Sequence, residues 1–286
     1  MTGLRRQGAF DYSRIAPTAR NAAAAAALGL LAAAAGAQTR PLQTEEATTA
    51  LAHTFVLEAG ADVMRDELNP VTGRRRHRWD MPVLRLVYSP ADNVELDLEW
   101  TAGVGAWSDP DLGAVKDFGN VTLRAKLRVL GGGAGASALA VRFGVALPET
   151  IYDQGLGPNM LRMAAQVLGS TSLGGLRLHA NAGLAIQDRP LAPRQQSDFL
   201  AYGLALAQGL GAGVEAVAEV AGLGVGAGAP GADRRSEARA GVRGGRGRLR
   251  WDLAVRRGLE RADGTWGATA GFRWTLAPAA RAARRR

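Results

Sequence analysis

Between residues 121 and 129 the chain is apolar at every odd position and polar or charged at every even one. Val121, Leu123, Ala125, Leu127 and Val129 alternate with Thr122, Arg124, Lys126 and Arg128. Successive side chains of a strand point to opposite faces, so a strict two-residue rhythm marks a strand whose faces meet different media. The segments on either side behave alike. Val94, Leu96, Leu98 and Trp100 alternate with Glu95, Asp97, Glu99 and Thr101, and Leu139, Val141, Phe143, Val145 and Leu147 alternate with small residues and Arg142.

This rhythm predicts twelve strands, at 53–65, 80–89, 94–106, 118–130, 137–148, 161–172, 175–187, 198–209, 213–225, 235–244, 248–259 and 265–276. Most are longer than the about 5–6 residues usual in soluble proteins. A tilted strand needs about 9–11 residues to cross a bilayer. The links alternate too. Those after even-numbered strands are short, whereas 66–79, 107–117, 149–160, 188–197 and 226–234 are longer and richer in charge and proline, and 260–264 is brief. Short periplasmic turns and longer outer loops are the habit of outer-membrane barrels. The expected fold is therefore all-β, a transmembrane antiparallel up-and-down barrel of about twelve strands. The expected location is the cell outer membrane.

Charge decides which face meets lipid. An arginine or lysine on the lipid side at the midplane costs about 2–4 kcal/mol. The charged parity is therefore assigned to the lumen: Glu95, Asp97, Glu99, Arg124, Lys126, Arg128, Arg142, Arg177, His179, Glu215, Glu219, Arg239, Arg243 and Arg250, with Asp252, Arg256 and Arg273. Antiparallel pairing suggests Glu99 opposite Arg124, Asp97 opposite Lys126 and Glu95 opposite Arg128. Such pairs stabilise by about 0.2–1 kcal/mol each. They either set a transverse field across a pore or fill and neutralise a narrow interior; the second reading is preferred. Tyr88, Trp251, Phe272 and Trp274 on the outward parity, with Tyr202 and Trp266 at the other end, suit interfacial aromatic girdles.

The ends of the chain read as an address and a tail. Arg5 to Arg20 are basic, Ala22 to Ala35 almost wholly Ala and Leu, and Ala35-Gly36-Ala37 is a small-x-small cut. These are the parts of a secretory signal peptide, so residues 1–37 are assigned to it, 38–277 to the barrel and 278–286 to a basic disordered tail. Signal and tail carry most of the net charge of +9. The nearly balanced middle offers no basic face for nucleic acid. Cysteine is absent, which excludes disulfides and thiolate metal sites.

No catalytic or metal constellation emerges, so neither enzyme activity nor a cofactor is expected. The three histidines, His53, His77 and His179, have no metal-ligand spacing. Ser170 and Ser172 near His179 raise a lipid hydrolase as a minor alternative, weakened because parity turns His179 inward. The loop Arg74 to Arg78 is either a solvated loop or a site for lipopolysaccharide phosphates.

Three segments carry a resemblance: Asp117 to Lys126, Ala140 to Pro148, and Leu178 to Gly183. In that order they are similar to the outer-membrane family labelled "MetA-pathway of phenol degradation". The likeness covers most of the mature chain and implies a transporter of aromatic or other hydrophobic compounds. The Ala/Gly-rich stretch Ala201 to Gly228 and the Arg-rich tail depart from the family pattern, and Trp274 lies well before the C-terminus, where the assembly machinery usually reads an aromatic. Expected partners are outer-membrane lipid and lipopolysaccharide, the barrel-assembly machinery and an unidentified small solute. The expected function is passive passage of small solutes, hydrophobic or aromatic ones among them. The alternatives are a closed structural or surface-interaction barrel without conductance, a lipid hydrolase, and a soluble periplasmic sandwich.

Overall fold

A computed structural model describes residues 40–132, 137–148, 150, 152–157, 159–190, 192, 194–226, 228–229 and 231–276. The expected signal peptide, its cut after Ala37 and the tail 278–286 lie outside the described residues. The strands are β1 (Thr54–Leu68), β2 (Arg75–Ala91), β3 (Val94–Thr101), β4 (Val104–Asp109), β5 (Gly113–Asp117), β6 (Val121–Gly131), β7 (Ala138–Leu147), β8 (Arg162–Leu173), β9 (Leu176–Asp188), β10 (Gln196–Gly211), β11 (Val214–Gly224), β12 (Arg235–Arg246), β13 (Leu249–Gly258) and β14 (Gly267–Leu276).

Each strand pairs antiparallel with its neighbours, and β1 pairs with both β2 and β14, which closes the ring. β3 and β4 are two halves of one wall strand, since β2 pairs with β3 through Val83–Ala91 and with β4 through His77–Asp80. β5 and β6 are likewise two halves of the next. The wall thus has twelve staves. No helix among the described residues is long and apolar enough to cross a membrane; the strands do so instead.

The apolar parity points outward. Leu123, Leu127, Val141 and Phe143 are exposed, whereas Lys126 on the opposite parity is 3% exposed. A soluble sandwich would bury the first four and solvate the lysine. Closed staves leave no unpaired edge in the hydrocarbon, as a membrane wall requires.

The periplasmic link between β8 and β9 is tight. Gly174 and Gly175 join β8 to β9 with φ of 57° and 90°. Two consecutive positive φ values suit the turn whose twist matches the flanking strands, and glycine adopts them without steric cost.

The outer links differ from the sequence expectation. Segments 66–79 and 107–117 were expected as loops, but β1 and β2 continue to Leu68 and Arg75, and β4–β5 form a hairpin turning at residues 110–112. The basic run is therefore strand, not solvated loop. Arg76 is buried and donates to the carbonyls of Gln154 (2.8 Å) and Gly155 (2.5 Å). His77 Nδ1 accepts from the Asp66 amide at 3.2 Å, and its ring meets Trp107 edge-on. Arg78 pairs with Asp80 at 2.9 Å and donates to Leu156 O. Arg74 alone of the run stays in a loop, beside Asp111 at 3.3 Å.

These contacts bring the link after β7 inward across the outer mouth. Leu156 is fully buried there against Val104 and Ala106.

Candidate functional site

The barrel interior is occupied by the chain's own residues 40–53, which precede β1. Their path is fixed at each step by wall side chains. Arg239 donates to Pro41 O at 2.8 Å. The two oxygens of Glu219 accept from the Gln43 amide (2.7 Å) and the Thr44 amide (2.8 Å). Ser170 Oγ accepts from the Ala47 amide at 2.8 Å, Glu95 from Ala50 at 3.1 Å, and Asp92 from Ala52 at 3.1 Å. With its amide oriented to suit both neighbours, Asn181 accepts from the Glu45 N–H (2.8 Å) and donates to the Glu45 carbonyl (3.0 Å). Backbone polar groups removed from water must be paired, and here side chains take the place of a neighbouring strand. The segment ends at the periplasmic rim, where the His53 amide donates to Ser89 O.

Two adjacent carboxylates clamp opposite walls. In an extended chain consecutive side chains diverge. Glu45 meets Arg85 (2.7 Å), Arg142 (2.7 Å) and Lys126 (3.7 Å) on β2, β7 and β6. Glu46 meets Arg243 (3.2 Å), Arg177 (3.7 Å) and His179 (3.7 Å) on β12 and β9. Charges this buried are tolerated only when paired.

Small wall residues make the space. Leu42 packs against Ala205, Ala207 and Val217, and Ala47 against Ala138, Ala140 and Leu168. A Cβ built on Gly60 would stand 2.1 Å from the Arg40 guanidinium carbon. Glycine at that wall position is therefore needed for Arg40 to lie where it pairs with Asp252 (3.6 Å) and Asp62 (3.7 Å).

The charged residues assigned to the lumen fall into groups. Glu95, Asp97, Lys126, His179, Glu219, Arg243, Asp252 and Arg273 are buried. Glu99, Arg124, Arg142, Arg177, Glu215, Arg239, Arg250 and Arg256 are partly buried. Arg177 and Arg243 share Glu215 at 2.7 and 2.9 Å, with Arg250 at 3.8 Å. Arg256 and Arg239 share Glu237 at 2.7 and 3.0 Å. Arg128 sits at the periplasmic rim, donating to Asp92 O and Gly131 O.

The expected pairing register is two residues off. Asp97 is opposite Arg124 and Glu95 opposite Lys126, while Glu99 faces Thr122. Arg124 reaches Asp97 directly (2.9 Å) and Glu99 diagonally (3.0 Å), and Lys126 reaches Glu95 at 2.7 Å. The Asp97–Lys126 and Glu95–Arg128 oppositions do not occur.

Ser170 and His179 do meet, with Oγ 2.8 Å from Nδ1. The pair lies on the inward parity against the internal segment, with the Ala47 amide on the serine oxygen. It fastens the segment to β8 and β9 and faces away from lipid.

Sequence reasoning missed Glu45, Glu46, Arg85, Ser170 as an anchor, Asn181 and Glu237. One signal was available. The inward parity of β10 reads Ala201, Gly203, Ala205, Ala207, side chains too small to fill a lumen by themselves.

Between the segment and the folded outer link lies a cavity of about 620 Å³, lined by charged residues of both signs.

Neither a protein-family model nor a curated protein matches this chain. Solved structures do. An outer membrane channel from Pseudomonas putida is 15% identical, with a TM-score of 0.59, covering 80% of this chain and 97% of that one. The β domain of the Bordetella autotransporter BrkA is 14% identical, with a TM-score of 0.48, covering 78% of this chain and 100% of that one. The translocator domain of the autotransporter NalP from Neisseria meningitidis is 14% identical, with a TM-score of 0.48, covering 90% and 97%. The first of these likenesses shows a shared fold.

Proposed function

We propose that this chain is an outer-membrane barrel through which small solutes pass passively, with residues 40–53 as the internal constriction. The observation that carries the reading is the polar cavity of about 620 Å³ above a segment that, short of its junction with β1, is held to the wall by ion pairs and hydrogen bonds. A barrel sealed only for structure needs no chamber. A constriction tied by ion pairs and hydrogen bonds is a boundary that can yield. The apolar outer face supports placement in the outer membrane, where closed barrels of this kind reside. The resemblance to the phenol-degradation family supports solutes with an aromatic or hydrophobic part. The charged chamber lining favours a solute that also carries a polar head.

Single-channel current in planar bilayers tests the reading. The intact protein should give small, discrete conductance steps. A variant lacking residues 40–50 should give larger ones. Silence from both proteins would reject passage and favour a closed structural barrel.

A further inference from the structure

One cation in the outer chamber stands apart. Among the described residues lining it, every arginine except Arg162 has a carboxylate oxygen within 4.0 Å. Arg162 opens β8 and has no ion pair with any described residue, and among those residues its buried Nε has no hydrogen-bond partner. The charged groups around it include Arg78, Arg235, Arg124 and the acid Glu99. Glu99 is already taken by Arg124, at 3.0 and 3.2 Å through its two oxygens. Arg78 is held by Asp80 at 2.9 Å and Arg235 by Glu67 at 2.8 Å. A guanidinium does not shed its proton, and Arg162, partly buried, presents a charge only partly withdrawn from water and without a partner, which is still costly. Among the described residues, Arg162 is therefore left without a counter-charge of its own.

A second, independent feature points to the same space. Thr150, on the inward-folded link, is buried and lines the chamber, and its hydroxyl has no partner among the described residues. Gln187, the cross-strand neighbour of Arg162 on β9, adds an amide to the lining.

We propose that Arg162 marks a binding site for a small carboxylate, with the Thr150 hydroxyl and the Gln187 amide as neutral donors. A planar fork of N–H groups matches a carboxylate's two oxygens. The cavity lies within the about 300–1,000 Å³ usual for small-molecule sites. This inference rests on the reading of the chain as a solute pathway and supplies the solute's charged group.

The experiment is saturation-transfer NMR on the full-length protein in detergent, with acetate as probe and acetamide as its uncharged isostere. Acetate should bind saturably and acetamide should not compete. Arg162→Gln should weaken acetate at least about tenfold, the loss expected for one charge-assisted bond. Arg162→Lys should stay within a few-fold of wild type, and Thr150→Val should weaken binding several-fold. Heat-modifiable gel mobility verifies that each variant is folded. Absence of saturable acetate binding to the wild type overturns the proposal whatever the variants do. So does acetate binding left unchanged in folded Arg162→Gln, or in Thr150→Val should the arginine variant not fold. Bilayer recordings separate the two claims. Acetate bound without current defeats passage and leaves the site standing; current without acetate binding defeats the site and leaves passage standing.

Discussion

Gly203 on β10 and Thr44 in the internal segment occupy complementary space: a Cβ on the glycine would lie 2.5 Å from the threonine hydroxyl oxygen. Gly203→Val should therefore push the segment off the wall while leaving the outward face of β10 unchanged. The expected outcome is larger single-channel conductance and faster proteolysis within residues 40–53, with heat-modifiable mobility retained. Unchanged conductance together with an unchanged proteolysis rate would show that the segment tolerates the bulk.

Glu46 holds Arg243, Arg177 and His179 to the centre. Glu46→Gln leaves these cations facing a neutral amide in a buried setting. Breaking a buried pair from one side costs about 3–5 kcal/mol. The unfolding temperature followed by gel mobility should fall, and conductance should become noisier as the segment samples detached positions. A variant that melts and conducts like wild type would show the clamp to be dispensable.

Leu123 and Arg124 are neighbours on opposite faces. Leu123→Arg places a cation in lipid and should destabilise the barrel by about 2–4 kcal/mol in bilayer refolding. Leu123→Ala should cost less. Equal effects would contradict the lipid-facing assignment of this parity.

Asp109, at the tip of the outer hairpin, accepts from Asn69 Nδ2 (2.7 Å) and from the amides of Asp111 (3.0 Å) and Leu112 (3.2 Å). Burial alone would raise its carboxyl, but these donors outweigh burial and hold it below the ordinary aspartate value. A depressed carboxyl contributes stability above its unfolded value, about 3.9, and loses it as pH falls through the lower folded value. Amide hydrogen exchange at residues 110–113 should therefore accelerate, relative to the intrinsic rate, below about pH 4. Asp109→Ala should show the faster exchange at neutral pH. A pH-independent protection factor would remove Asp109 from this role.

Arg76 ties the inward link to β2 through two carbonyls. Arg76→Ala should free residues 152–157, at about 1.5–3 kcal/mol per charge-assisted bond lost. Limited proteolysis from the outer side should then cut there first. Protection equal to wild type would place the restraint elsewhere.

The staves were legible in the sequence because each sorts its residues between lipid and lumen by a rule as short as two residues. Lys126 and Leu127 declare their faces without knowledge of any partner. Register was not legible, because it depends on where a hairpin turns. The residues Asp109 to Gly113 make that turn, with Gly113 at φ 69°. Reading 107–117 as irregular loop hid the turn and displaced the pairing of Glu99 and Arg124 by two positions. The internal segment was hidden for another reason. Residues 40–53 have no periodicity of their own, because their partners come from walls all around them. Only the undersized residues of β10, such as Gly203 and Ala205, hinted that something else must fill the lumen.

The seam between β1 and β14 pairs Phe55 with Leu276 at the periplasmic rim. The internal segment is continuous with the first stave of that seam. Once the ring has zipped, no sideways route into it remains. Either the leading residues are already gathered inside when the last stave docks, or they must be drawn in end-first through the periplasmic mouth. Filling the lumen and closing the wall are thus tied to one strand: the stave at the seam also carries the barrel's contents.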